Sequence, residues 1–209
     1  MSINAIVHLI DDDEDVRRAT AFLLGTAGFA VRVHENALRF LEELPRLQSG
    51  CIITDVRMPG MDGLELQARL KELGIDVPII IMTGHADVPL AVKAMKAGAV
   101  DFIEKPFEDQ VLISAVRAAL SDHEKGGKSN AEAGAVQSRL GSLSVRERQV
   151  LSGLLEGNPN KTIAYDLGLS ARTVEVHRAN VMTKMGAGSL SELVRMTLLA
   201  KVDLTDQRS

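Results

Sequence analysis

A single cysteine, Cys51, stands among 209 residues, so no intramolecular disulfide can form and a reducing, intracellular setting is expected. It opens an apolar run, where a buried, inert thiol is the ordinary state. No stretch stays apolar over the roughly 20 residues that a membrane-spanning helix requires. The opening "MSINAIVHLIDDD" lacks the basic leader and long apolar run of a secretory signal. A cytoplasmic protein with no membrane partner is therefore expected. Internal repeats and low-complexity tracts are missing as well. Charge of one sign is not in excess either: 24 basic against 28 acidic residues leave −4, which alone gives no hint of nucleic acid. What remains is an ordinary composition, 45% hydrophobic and 25% charged, sufficient for one large domain or two small ones.

Along the chain the charge is uneven. Residues 1–120 carry 12 basic against 18 acidic residues, residues 121–139 carry 3 of each, and residues 140–209 carry 9 against 7. An acidic body followed by a mildly basic tail suggests two modules with two tasks.

Hydrophobic periodicity supports that division. In residues 1–120 short apolar runs, "AIVHLI", "AVRV", "CIIT", "PIIIM" and "VDFI", alternate with helical patterns over 15–27, 36–44, 64–73, 88–97 and 108–120. Five strands alternating with five helices predict an α/β module with a parallel sheet covered on both faces. Residues 121–139 lose the periodicity and contain Gly126 and Gly127, which predicts a linker into which the preceding helix can continue. Residues 140–209 read as a small all-α module of four helices. Ser144 with Glu147 makes a capping box, with Gly157 as a stop. Asn160 is the expected cap of a short helix closed at Gly168. Ser170 and Gly186 bound a longer helix, and Ser189 with Glu192 makes a second capping box.

The carboxyl ends of the strands carry the chemistry. Ligands of open parallel α/β sheets bind in the crevice beyond those ends. There the first strand delivers Asp11, Asp12 and Asp13, the third Asp55 and the fourth Thr83, and Lys105 follows the fifth. Carboxylates so crowded repel one another unless a hard cation such as Mg²⁺ intervenes. Phosphoryl transfer needs alignment and charge neutralisation. In that reading Asp55 supplies the attacking oxygen, Mg²⁺ and Lys105 neutralise, and Thr83 donates a hydrogen bond to the transferred group. Acids after a strand also cap the following helix, and Asp13 to Asp15 fit that plainer role. A hydrolase using an aspartyl nucleophile would want a second Asp two residues on, where Arg57 stands, so no enzyme is expected. An interaction module that works without phosphate remains the other alternative.

"LIDDDEDVR", "IITDVRMPGMDGLEL" and "IIIMTGHADVPLAVKAMKAGAVDFIEKPF" together resemble the receiver domain of two-component systems across residues 1–120. The resemblance implies a doubly wound five-stranded sheet in the order 2-1-3-4-5. It implies that Asp12 and Asp55 hold Mg²⁺ with the backbone carbonyl of Arg57, and that Asp11 reaches the ion through water. It further implies that Asp55 takes its phosphoryl group from a histidine kinase, that the Lys105–Pro106 bond is cis, and that Phe102 is a switch aromatic rather than an ordinary core residue. Movement of Thr83 would shift the "TGHADVP" loop. Small and apolar residues interleaved with opposite charges, Val88, Val92, Met95 and Lys96 with Asp101 and Glu104, form the expected dimerisation surface.

"NKTIAYDLGLSARTVEVHRANVMTKM" has the layout of a helix-turn-helix. Val174, Val181 and Met185 form its apolar stripe, with His177 nearby as a packing residue. Shape alone leaves open a pure scaffold. With "LSVRERQVL" before it, the module resembles the LuxR-type DNA-binding domain. That resemblance implies base reading by Glu175, Val176 and Ala179. Arg178, Lys184, Lys161 and Asn160 are expected nearer the phosphates, with Arg172 and Thr173 at the start of the helix. Glu147 is expected to be a buried structural partner, and the last helix a subunit contact through Leu193, Met196 and Leu199. Joined, the two halves resemble response regulators of the FixJ type. The implied partners are a cognate histidine kinase, a haem-containing oxygen sensor in that family's pattern, double-stranded promoter DNA and RNA polymerase. The implied protein is a homodimer when phosphorylated, acting as an activator of nitrogen-fixation genes.

Overall fold

The computed structural model describes residues 5–46, 49–84, 87–124 and 130–200. By contacts the chain divides into two units, residues 1–85 with 97–127 and residues 86–96 with 128–209.

In the first unit the apolar runs form β1 (Ile6–Ile10), β2 (Ala30–His34), β3 (Gly50–Asp55), β4 (Ile79–Thr83) and β5 (Asp101–Glu104). All four pairings are parallel and the order is β2-β1-β3-β4-β5. β3 and β4 are buried at every residue, as expected for strands covered on both faces. On one face Val7, Leu9, Cys51, Ile53, Ile80 and Met82 pack with Leu24 of α1 (Glu14–Thr26) and with Leu112 and Val116 of α5 (Asp109–Glu124). The intervening side chains, including Ile10, Ile52 and Ile81, are also buried. Here α2 (Ala37–Glu42) supplies Phe40 and α3 (Gly63–Glu72) supplies Leu66 and Leu70 to the buried set.

Short polar signals start these helices. Asp13 caps α1, its Oδ1 accepting from the N–H groups of Asp15 and Val16 at 2.9 and 3.1 Å. The third acid of the "DDD" run is thus structural. Asp62 and Glu65 form a reciprocal capping box on α3, and Asn36 caps α2. α4 spans Val88–Ala97 and buries Ala91, Val92, Ala94 and Met95.

The helical unit departs from expectation at its start. Residues 130–139, read from the sequence as part of a linker, belong to α6 (Asn130–Gly141). Val136 and Leu140, four residues apart on one helical face, enter the core formed by α7 (Val145–Leu155), α8 (Asn160–Leu167), α9 (Ala171–Met185) and α10 (Leu190–Leu199). Two apolar anchors among Ala, Gly and polar residues give too faint a period to stand out in the sequence.

Ser144 and Glu147 form the expected capping box on α7. Gly168 and Gly186 end α8 and α9 in the left-handed conformation, at φ 64° and 67°, where a side chain would be strained. Asn160 does not cap α8. Pro159 takes the cap position with no side-chain bond, and Asn160 becomes the first helical residue. At α10 the expected box is half formed: Ser189 accepts from the Glu192 N–H, but Glu192 Oε2 accepts from Gly188.

Candidate functional site

Parallel pairing places Ile10 beside Thr54 and Thr83 beside Glu104, so Asp11, Asp55 and Lys105 leave the sheet at one edge. Lys105 Nζ lies 2.6 Å from Asp11 Oδ2 and 2.6 Å from Asp55 Oδ1. The other oxygen of Asp55 accepts from the Arg57 backbone N–H at 2.6 Å. Asp11 Oδ1 accepts from Asp13 N–H at 3.0 Å, and Arg17 Nη1 donates to the Asp11 carbonyl at 2.6 Å. Asp11, Asp55 and Thr83 are buried, while Asp12 is exposed beside them. The Lys105–Pro106 bond is cis. Residues 94 positions apart in sequence thus meet within hydrogen-bond distance.

The charges at this edge are out of balance. Burial pushes the Asp55 carboxyl above its ordinary range. Lys105 pulls it back through a hydrogen bond and its charge, and the Asp11 carboxylate adds to the rise. Burial also opposes the Lys105 ammonium, but the hydrogen bonds to Asp11 and Asp55 outweigh it and raise its pKa. Two buried carboxylates share one ammonium, with a third at the rim.

Among the described residues no three acidic, histidine or cysteine side chains stand together as a ready-made metal cage. The donors that are present are all oxygen: Asp11, Asp55, exposed Asp12 and the Arg57 carbonyl. Such a set fits a hard divalent ion that keeps several waters, as Mg²⁺ does.

Gly63, the glycine of the "MPGMDG" stretch that follows Asp55, completes the pocket. Its N–H donates to the Val56 carbonyl at 2.9 Å. A Cβ at that position would stand 2.2 Å from the Asp55 carbonyl oxygen. Nothing but glycine lets α3 begin so close behind the acid-bearing strand.

Phe102 is half-buried in the middle of β5. Of the "TGHADVP" loop, His85 and Ala86 lie outside the described residues. At the expected dimerisation surface Val92 and Met95 are buried, as are Ala91 and Ala94 on the same helix. Val88 and Asp101 are half-buried, and Lys96 and Glu104 are exposed.

In the helical unit, α9 buries Val174, Val181 and Met185 and leaves the opposite side open. Glu175, Val176 and Ala179 are exposed together, and Arg172 pairs with Glu175 at 3.0 Å. Thr173 is tied to the cap, its hydroxyl 2.8 Å from Ser170 Oγ. Lys161 is exposed at the start of α8, whereas Arg178 and His177 are half-buried. Asn160 Oδ1 is buried with no hydrogen-bond partner among the described residues.

Lys184, expected nearer the phosphates, is exposed, and its ammonium lies 2.7 Å from Oε2 of buried Glu147. That ion pair, with the Ser144 N–H, holds the Glu147 carboxyl below its ordinary range. At α10, Leu193 is fully buried and Met196 packs against the core. Of the three residues expected to face outward, Leu199 does so, with Leu198 beside it.

A doubly wound sheet whose central strand ends in a buried aspartate, bridged by a lysine to a second aspartate, defines a receiver-type domain; the helical unit adds a helix-turn-helix. The family comparison agrees on both counts. "Response regulator receiver domain" matches residues 7–117 and "Bacterial regulatory proteins, luxR family" matches residues 141–197. The transcriptional regulatory protein FixJ of Azorhizobium caulinodans is 57% identical over 96% of this chain and 95% of its own. FixJ of Rhizobium meliloti is 55% identical over 92% of this chain and 94% of its own. A crystal structure of full-length FixJ from B. japonicum shares 53% identity, covers 94% of this chain and 97% of that one, and superposes with a TM-score of 0.57. The chain belongs to the FixJ-type response regulators, transcription factors that join a receiver to a LuxR-type DNA-binding domain.

Proposed function

We propose that Asp55 is the phosphoacceptor and that its modification by a cognate histidine kinase drives promoter binding by a dimer. In the transfer an Asp55 carboxylate oxygen forms a bond to phosphorus as the phosphohistidine P–N bond breaks. The observation that carries this reading is the Lys105 ammonium, held 2.6 Å from both Asp55 and Asp11. A cation so placed neutralises charge that grows on the transferred group. Asp11, Asp12, Asp55 and the Arg57 carbonyl would hold Mg²⁺, which supplies the further positive charge that phosphoryl transfer requires. Thr83, buried at the end of β4, would donate to the phosphoryl oxygens, and Phe102, half-buried in β5, would respond to it.

Output lies in the helical unit, with Glu175, Val176 and Ala179 reading base edges and Arg172, Arg178 and Lys161 on the flanks. Glu175 can accept from a cytosine amino group. Two such helices on one dimer engage half-sites about one helical turn apart. Pairing raises affinity through effective concentration without new base contacts. Lys96, Asp101 and Glu104 with Val88, and Leu199 at the end of α10, are the candidates for subunit contact. RNA polymerase is the partner that an activator recruits. The functional modules are the receiver over residues 1–120 and the DNA-binding unit after it. No helix among the described residues is long and apolar enough to cross a membrane.

The regulated pathway is a narrower matter than the chemistry. FixJ proteins match at 52–57% identity, which favours nitrogen-fixation promoters and a haem-containing sensor kinase. The response regulator TodT of Pseudomonas putida (strain ATCC 700007 / DSM 6899 / JCM 31910 / BCRC 17059 / LMG 24140 / F1) also matches, at 44% over 92% of the chain.

The chemical test is incubation with acetyl phosphate and Mg²⁺. Mass spectrometry is expected to find one phosphoryl group on Asp55, absent from Asp55→Asn, with footprinting and sedimentation following its appearance. A phosphoryl group elsewhere, or none, defeats the proposal.

A further inference from the structure

α6 is more than the end of a connection. Val136 and Leu140 lie in the same apolar cluster as Val174, Val181 and Met185 of α9. Between these anchors Arg139 Nη1 donates to the carbonyl of Met185 at 2.8 Å. A helix leaves its last carbonyls without internal partners, and here a charged donor from another helix takes one of them. The contact falls on the turn where Gly186 ends α9, and a Cβ on Gly186 would stand 3.2 Å from that same nitrogen. A guanidinium also has the favourable sign for the negative end of the helix dipole. α6 is held in turn, because Arg148 Nη2 of α7 donates to the Gly141 carbonyl at 3.2 Å.

We infer that Arg139 is a positioning residue for the base-reading helix. Lys184, through Glu147, ties α9 to α7 at 2.7 Å; Arg139 ties the same end to α6, which fixes how far the helix axis can pivot. A pivot at this end swings Glu175 and Val176 at the other. The LuxR-family match begins at residue 141 and so leaves Arg139 out. On this inference the DNA-reading unit begins with α6.

The inference rests on α9 being the base-reading helix, and its test separates the two. Full-length Arg139→Met keeps the apolar stem and removes every donor. Each chain is first phosphorylated with acetyl phosphate and Mg²⁺, and incorporation is checked by mass. Two probes are used: a duplex selected by the phosphorylated wild-type chain from a random-sequence pool, and sheared calf-thymus DNA. Loss of a charged hydrogen bond is expected to weaken binding to the selected duplex about tenfold. Binding to the bulk DNA, which depends on phosphate contacts, is expected to stay within about twofold, and Arg139→Lys recovers part of the loss. Amide exchange, read without DNA, is expected to quicken at residues 183–187 while α7 stays protected. Equal loss on both DNAs, no loss on the selected duplex, or faster exchange through the whole helical unit each overturns the positioning role. Should the wild-type chain select no duplex, the base-reading assignment of α9 falls, and the exchange result still decides whether Arg139 holds that turn.

Discussion

Lys105 Nζ stands 2.6 Å from Asp55 Oδ1 and is shared with Asp11. One half-buried cation between two buried carboxylates has a stability consequence that is separable from phosphoryl transfer. Lys105→Met leaves two carboxylates facing each other with no ammonium, an arrangement that costs roughly 1–3 kcal/mol or more when a buried charged group loses its partner. Adding Asp11→Asn removes the repulsion and is expected to restore part of the loss. Urea unfolding of the single and double variants measures this coupling. Strictly additive effects would show that Lys105 does not bridge the two acids.

Gly63 bears on the same pocket through space rather than charge. With a Cβ 2.2 Å from the Asp55 carbonyl oxygen, Gly63→Ala must displace either the start of α3 or the end of β3. Phosphorylation by acetyl phosphate is expected to slow by an order of magnitude or more, since small misplacements of reacting groups are costly. Far-ultraviolet circular dichroism should show the helices retained. A wild-type rate would mean that the loop absorbs the methyl group without moving Asp55.

The strand-end acids, Thr83 and Lys105 were legible because each follows an apolar run whose period and length mark a strand. Ser144 and Ser170 were legible as caps because a cap is a local pattern. Asn160 misled for a local reason too: a neighbouring Pro159, which has no N–H to lose, took the cap position instead. The failures over distance are of another kind. Lys184 and Glu147 are 37 residues apart, and nothing in either neighbourhood announces that the two side chains pair. On α10 the buried stripe runs through Leu193, Val194 and Thr197. An apolar helix offers more than one face with the right spacing, and packing alone chooses which of them is covered.

The buried imidazoles on β1 and β2 make the receiver sensitive to acid. His8 Nδ1 lies 3.1 Å from His34 Nε2, both rings meet Phe40 edge-on, and His8 Nε2 has no hydrogen-bond partner among the described residues. Burial, then the neighbouring His34 and Arg32, lowers the His8 pKa from 6.5 to about 4, and burial lowers that of His34 as well. A depressed histidine pKa means that the unfolded chain binds the proton first. The stabilisation is complete above pH 6.5 and is lost as pH falls towards about 4. Urea midpoints measured from pH 7 to 4.5 are expected to fall more steeply in the wild type than in His8→Leu. Parallel pH profiles would refute the buried neutral pair.

The two lysines of the helix-turn-helix should behave oppositely on DNA. Lys161 is exposed at the start of α8 and forms no ion pair among the described residues, and a helix start lies naturally against a phosphate. Lys184 is also exposed but paired with buried Glu147. Each phosphate neutralised adds close to one unit to the slope of log affinity against log salt. Lys161→Met is therefore expected to lower that slope by about one and to leave the melting temperature unchanged. Lys184→Met should leave the slope near its wild-type value and lower stability, because Glu147 stays buried without its counter-charge. The pH dependence follows from the same pair. The depressed Glu147 pKa contributes stability above its ordinary value of 4.5, lost as pH falls through the folded value, and Lys184→Met should shrink that contribution. A reduced salt slope in Lys184→Met would place its ammonium on the DNA backbone and return it to the phosphate-contact group.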